Sequence, residues 1–252
     1  MELDLINGLI LIVLGTLAGA INTVAGGGSN LTLPSLMIMG MPPEIANASN
    51  RVGIFIQSLV GIRGFNQHGR LDTTDIGPIL VPTLLGGLSG ALVASYAPSE
   101  LLKALLLGTM LGMALLMLIR PSVVVPEAGT VVKRVKQTPA AWWGLFVAGL
   151  YGGFVQAGVG FVLLAALAGT LRYDLVRANA LKLICTLGFT LVALVVFISR
   201  DQVDWIPALV LSVGFIFGAQ LGVKFAIKAK AQTLKWFIFA MTLVAVVAAY
   251  VF

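Results

Sequence analysis

The stretch Asn22-Thr23-Val24-Ala25-Gly26-Gly27-Gly28-Ser29-Asn30-Leu31-Thr32-Leu33-Pro34 sets three consecutive glycines, flanked by amides and hydroxyls, between two apolar runs. Each glycine costs a helix about 1 kcal/mol relative to alanine, so three together break one. The run before it, residues 5–24, has the roughly 20 apolar residues that cross about 30 Å of hydrocarbon. A break at such a place frees backbone N–H and C=O groups that lipid cannot satisfy. They must face protein interior or a wet cavity. Ser29 or Asn30 is placed to cap a following short helix, and a helix N-terminus favours an anion. Asn22, Thr23, Gly26, Gly27, Gly28, Ser29 and Asn30 are therefore the first candidate substrate-binding residues.

The rest of the chain has the same character. Of 252 residues, 59% are hydrophobic and 10% charged, whereas a soluble domain needs about 25% charge to cover its surface. The 29 glycines have no three-residue period and stand among Leu, Ile, Val and Ala, which excludes collagen and disorder. The pattern predicts an all-α polytopic membrane protein. Its apolar segments fall at about 5–24, 30–41, 46–65, 76–97, 101–119, 140–157, 159–171, 175–199, 205–223 and 234–252. Segments 30–41 and 159–171 are too short to cross untilted, and each follows a glycine-rich break, the second being Ala157-Gly158-Val159-Gly160. Two crossings or one re-entrant hairpin per pair give the same sidedness. Thirteen of the 16 Lys and Arg residues then lie on one side, which predicts both termini outside and that side cytoplasmic. The acidic start Met1-Glu2-Leu3-Asp4 lacks the basic region of a signal peptide, so the first span is expected to be retained. The +6 net charge reads as this loop bias and not as a nucleic-acid surface. Trp142, Trp143, Trp205 and Trp236 stand near span ends, where aromatic belts form.

The polar linker 121–139 separates residues 1–120 from 140–252, and the two parts resemble each other. At an offset of 134, Gly15, Gly19 and Gly26 meet Gly149, Gly153 and Gly160, and Asn22 meets Gln156. At 132, Ala46-Asn47-Ala48 meets Ala178-Asn179-Ala180, Asp72 meets Asp204, and Gly86 and Gly90 meet Gly218 and Gly222. One part starts outside and the other inside. The expected fold is two inverted-topology repeats of about five helical segments, each with a glycine-broken helix or re-entrant hairpin. That is a recurring plan of secondary transporters, with the substrate site at the repeat interface.

A second group of candidates follows Pro42-Pro43-Glu44, which reads as a helix start. Asn47, Asn50 and Arg51 share a helical face, with Arg51 about 12 Å inside the helix end. In the other half Asp174 is a candidate N-cap, with Asn179 and Lys182 sharing a face behind it. Two cations approaching the centre beside asparagines suit an anion, whereas snorkelling to the nearest interface is the alternative. Gln156, at the second break, completes the set. Asp72 and Asp204 read as helix caps, and Gly15-x-x-x-Gly19 and Gly108-x-x-x-Gly112 as close helix packing.

Several classes are disfavoured. Cys185 is the single cysteine and His68 the single histidine, so no disulfide or Cys/His metal set forms. HExxH, P-loop and GxSxG patterns are absent; neither catalytic residues, a metal nor a cofactor is assigned. The expected partners are a small anionic substrate and the lipid bilayer, with proton or ion coupling and self-association both open.

The run Gly15-x-x-x-Gly19-Ala20-Ile21-Asn22-Thr23-Val24-Ala25-Gly26-Gly27-Gly28-Ser29, then Leu33-Pro34-Ser35-Leu36 and Pro42-Pro43-x-x-Ala46-Asn47-Ala48-Ser49-Asn50, resembles the sulfite exporter TauE/SafE family, also called the toluene sulfonate uptake permease family. A weaker second copy spans Gly149 to Lys182. The resemblance implies a bacterial-type inner-membrane transporter of small sulfur-containing anions: sulfite, sulfonates or sulfoacetate-like compounds. A membrane scaffold or assembly factor without transport activity, and an anion channel, are the alternatives.

Overall fold

A computed structural model describes residues 4–106, 108, 131–230, 233 and 236. Every regular element among them is helical: α1 (Leu5–Val24), α2 (Ser29–Ile38), α3 (Pro43–Gln67), α4 (Ile76–Tyr96), α5 (Pro139–Phe154), α6 (Val159–Leu164), α7 (Leu175–Ile198) and α8 (Trp205–Lys228). A 3₁₀ turn at Val135–Gln137 precedes α5, and a π-helical turn at Ala165–Thr170 continues α6. Residues 99–106 are also helical. Most of the expected linker, and most of segments 101–119 and 234–252, lie outside the described residues.

Among the described residues, four helices, α1, α4, α7 and α8, are long and apolar enough to cross a membrane. Outer faces carry Leu9, Val13 and Leu17 on α1, and Leu209, Val213, Phe217 and Leu221 on α8, all exposed at four-residue intervals. The interior holds the polar groups instead, among them Asn47, Arg51, Gln57, Asn179 and Lys182. A bundle with apolar side chains outside and polar ones inside is built for lipid.

The predicted breaks are present. α1 ends at Val24 and α2 starts at Ser29, while α5 ends at Phe154 and α6 starts at Val159. α2, ten residues long, spans about 15 Å, about half the hydrocarbon thickness. Neither Ser29 nor Asn30 caps it: Gly28 is already helical, at φ −61° and ψ −33°, so Ser29 falls inside the first turn. α3 starts at Pro43 behind Pro42 with Glu44 in its first turn. Asp174 caps α7 as expected, accepting from the N–H groups of Val176 and Arg177, both at 3.1 Å. Asp174→Ala should therefore lower stability by about 1 kcal/mol, measured as a shift in denaturation midpoint. Asp72 and Asp204 do not cap. Asp75, not Asp72, is the residue that precedes α4, and the Asp204 side chain makes no capping bond. Asp72 accepts from the Thr74 N–H at 3.0 Å. Hydrogen bonds to Thr74 hold its carboxyl below the ordinary carboxylate range. A lowered acid stabilises the fold above its unfolded pKa and loses that effect as pH falls through the folded value. Asp72→Asn should flatten the acid limb of a stability-versus-pH profile.

The two parts pack by exchange. α1 lies along α8, and α5, which matches α1 at offset 134, lies along α4. α3 packs on α8 and α7 on α4, with α3 and α7 meeting between them. Glycines set the close approaches. A Cβ on Gly15 would stand 2.5 Å from Leu211 O, and one on Gly218 2.2 Å from Thr16 O. The matching contacts give 2.2 Å from Gly149 to Thr83 O and 2.0 Å from Gly90 to Leu150 O, which sets Gly86 and Gly90 opposite Gly214 and Gly218, one helical turn from the pairing with Gly218 and Gly222 read in the sequence. The packing expected for Gly15 and Gly19 is therefore seen, and small-residue contacts of this kind bring membrane helices together. Gly112 lies outside the described residues, and a Cβ on Gly108 meets none of them within 4 Å.

Candidate functional site

The two breaks meet each other. A Cβ on Gly26 would lie 2.3 Å from the Cα of Gly160, and one on Gly160 would lie 2.3 Å from the Cα of Gly26. Gly26 has φ +94° and Gly158 φ +74°, conformations that L side chains rarely adopt. Gln156 shares the second turn at φ 65°. The backbone thus reverses locally at both breaks, and side chains at the crossing would hold them apart. Gly27 lies against the Phe161 ring, and Gly28 against the Ala18 carbonyl.

All thirteen predicted substrate-binding residues are buried. Neither cation snorkels: Arg51 is 0% exposed and Lys182 1%. Both terminate the broken helix of the opposite half. The Arg51 guanidinium donates to the carbonyls of Gly152 at 2.8 Å, Gly153 at 2.7 Å and Phe154 at 3.2 Å, the C-terminal end of α5. The Lys182 ammonium donates to the carbonyls of Asn22 at 2.8 Å and Thr23 at 3.0 Å, the end of α1. A helix C-terminus leaves four carbonyls without intrahelical partners and carries a partial negative charge. A buried cation is tolerable at such a place.

The asparagines divide between two tasks. Asn47 joins Arg51 at the end of α5, donating to Phe154 O at 3.0 Å. Asn179 accepts from Lys182 at 2.8 Å. Asn50 faces α2, accepting from Thr32 at 2.7 Å and donating to Ser29 Oγ at 3.2 Å. It fixes the short helix to α3. Asn22 donates to Gln57 Oε1 at 2.7 Å, and Gln57 donates to Thr23 Oγ1 at 3.0 Å. Gln156 donates to Thr190 at 3.0 Å.

Gln57 had no place among the predicted site residues. It stands seven residues, or about two turns, after Asn50, so its face was readable from spacing. The carbonyl partners have no such signal, because a main-chain oxygen looks the same at every position. Gln57→Leu should cost about 1–3 kcal/mol by stranding Asn22 and Thr23, which chemical denaturation reads directly.

Four buried polar atoms around the breaks lack a partner among the described residues: Asn30 Oδ1, Gln156 Oε1, Arg51 Nε and Asn179 Nδ2. Such atoms are rare in folded proteins. No ion pair among the described residues reaches Arg51 or Lys182. Each described acid lies in a helix's first turn, just before one, or between elements. Arg51 and Lys182 thus bring two basic groups to the helix ends with no carboxylate beside them among the described residues.

An apolar-faced helical bundle with a charged, helix-broken interior has the build of a polytopic membrane transporter. Sequence comparison agrees: the profile of the sulfite exporter TauE/SafE family matches residues 11–249, and the chain belongs to that family. Relatives include a probable membrane transporter protein, ORF9, of Sinorhizobium, 26% identical over 89% of this chain and 85% of its own. A probable membrane transporter protein of Haemophilus influenzae is 28% identical over 89% of this chain and 87% of its own. The Escherichia coli K12 protein YfcA, of the same description, is 27% identical over 84% and 78%.

Proposed function

We propose that the protein is a secondary transporter of small sulfur-containing anions, such as sulfite, sulfonates or sulfoacetate-like compounds. It works by alternating access around the contact between Gly26 and Gly160. The observation that carries this reading is the pair of buried cations without a carboxylate, set at two helix breaks among unpaired polar atoms. A monoanion or dianion gives the two basic groups a counter-charge and offers acceptors to Arg51 Nε and Asn179 Nδ2. The start of α2, which no side chain caps, adds a favourable dipole. Sulfur rather than carbon at the centre of that anion follows the family's description.

The two halves act as inverted repeats in this reading, 1–120 and 140–252 joined by a cytoplasmic linker, with both termini outside the inner membrane. The exchange of contacts between α1/α8 and α5/α4 supports it, because an axis relating the halves pairs those helices. Rocking one half against the other would expose the polar centre alternately to each side.

Purified protein in liposomes tests this. Radiolabelled sulfite or a sulfonate should enter with saturable kinetics and be accelerated by unlabelled anion on the far side. Flux that never saturates would mark a channel. No flux of any sulfur anion, with the protein folded, would leave the scaffold reading.

A further inference from the structure

The Lys182 ammonium has three N–H donors and uses all three on oxygens: Asn22 O at 2.8 Å, Thr23 O at 3.0 Å and Asn179 Oδ1 at 2.8 Å. It is 1% exposed and forms no ion pair among the described residues. A shell made of helix-end carbonyls and one amide oxygen is the shell that discontinuous helices offer to a coupling cation. Carbonyl oxygens replacing a hydration shell likewise hold potassium in channels. Arg51 repeats the arrangement across the molecule, with carbonyls of Gly152, Gly153 and Phe154. Asn47 stands where Asn179 does at offset 132.

We propose that Lys182 is a tethered replacement for a bound monovalent cation, filling a site made by Asn22 O, Thr23 O and Asn179 Oδ1. The end of α1 is then held without sodium. Calling that ion a coupling ion rests on the transport reading; the site itself does not. The arrangement has two consequences. The wild-type protein gains nothing from sodium at this place, and a shortened side chain at 182 leaves an oxygen-lined space that a free small cation enters.

Thermal unfolding of the detergent-purified protein decides this, in chloride salts of N-methylglucamine, sodium, potassium and ammonium at equal ionic strength. The wild type should unfold at one temperature in all four. Lys182→Ala, purified in ammonium throughout, should unfold lowest in N-methylglucamine and rise by several degrees, saturably, with at least one small cation, as mass action requires. The double variant Lys182→Ala, Asn179→Ala should lose that rise. Stabilisation of the wild type by sodium would overturn the proposal. So would a Lys182→Ala protein that unfolds alike in all four salts, or one that none of them recovers in folded form. The readout is stability alone, so absence of anion flux would count against the transport reading and leave this result standing.

Discussion

Arg51→Ala is expected to cost about 3–5 kcal/mol of stability, the loss typical of removing one partner from a buried charged contact. The Gly152 and Gly153 carbonyls at the end of α5 would lose this donor and Phe154 O would keep only Asn47, in an interior where water does not readily replace it. The guanidinium also lies over the Phe197 ring at 5.1 Å, so truncation opens a space there as well. Because the same guanidinium belongs to the proposed anion site, folding and flux should fall together. Arg51→Lys keeps the charge but not the planar fork, and should recover only part of the stability. Denaturant titration of the three proteins in detergent measures this, and equal midpoints would refute the capping role.

Gly26→Ala should be at least as damaging, for two separable reasons. The backbone at φ +94° disfavours any L side chain, at about 1–2 kcal/mol. The new methyl would also stand 2.3 Å from Gly160 Cα, so main chain must move at the crossing of the breaks. Gly40 provides the control: its φ is +91°, but a Cβ there meets nothing within 4 Å. Gly40→Ala should show the backbone cost alone. Gly160→Ala should show the contact cost without a positive φ. In folded protein, anion flux should be lost for both crossing variants and kept for Gly40→Ala.

Much of this architecture was readable from residue order because its signals are local. Three glycines in a row break a helix in any context, and Pro42-Pro43 starts one. Asp174 caps because its side chain reaches its own helix. The register of Gly15 and Gly19 with Gly149 and Gly153 was readable because close helix contacts admit nothing larger, whereas Gly86 and Gly90 were matched one turn too far along α8, since glycines four apart look alike in sequence. What the cations touch was not readable. Spacing put Arg51 beside Asn47 and Lys182 beside Asn179, yet their partners lie 101 and 160 residues away in sequence and are main-chain atoms. Spacing likewise placed Asn50 with Asn47 and Arg51, whereas a 2.7 Å bond from Thr32 turns it toward α2. Asp72 failed as a cap because the chain takes three more residues to reach α4, a matter of loop geometry that composition does not record.

The central claim is that a small sulfur anion binds where the two broken helices meet. Asn30 and Gln156 are buried at the two breaks and support neither cation, so replacing them spares the caps. Thermal stability of the wild type should rise saturably with sulfite or a sulfonate, and rise less with sulfate and carboxylates. Asn30→Ala and Gln156→Ala proteins should fold and lose most of that rise. Equal stabilisation of all three proteins by sulfite, or none of the wild type by any of these anions, would contradict the account.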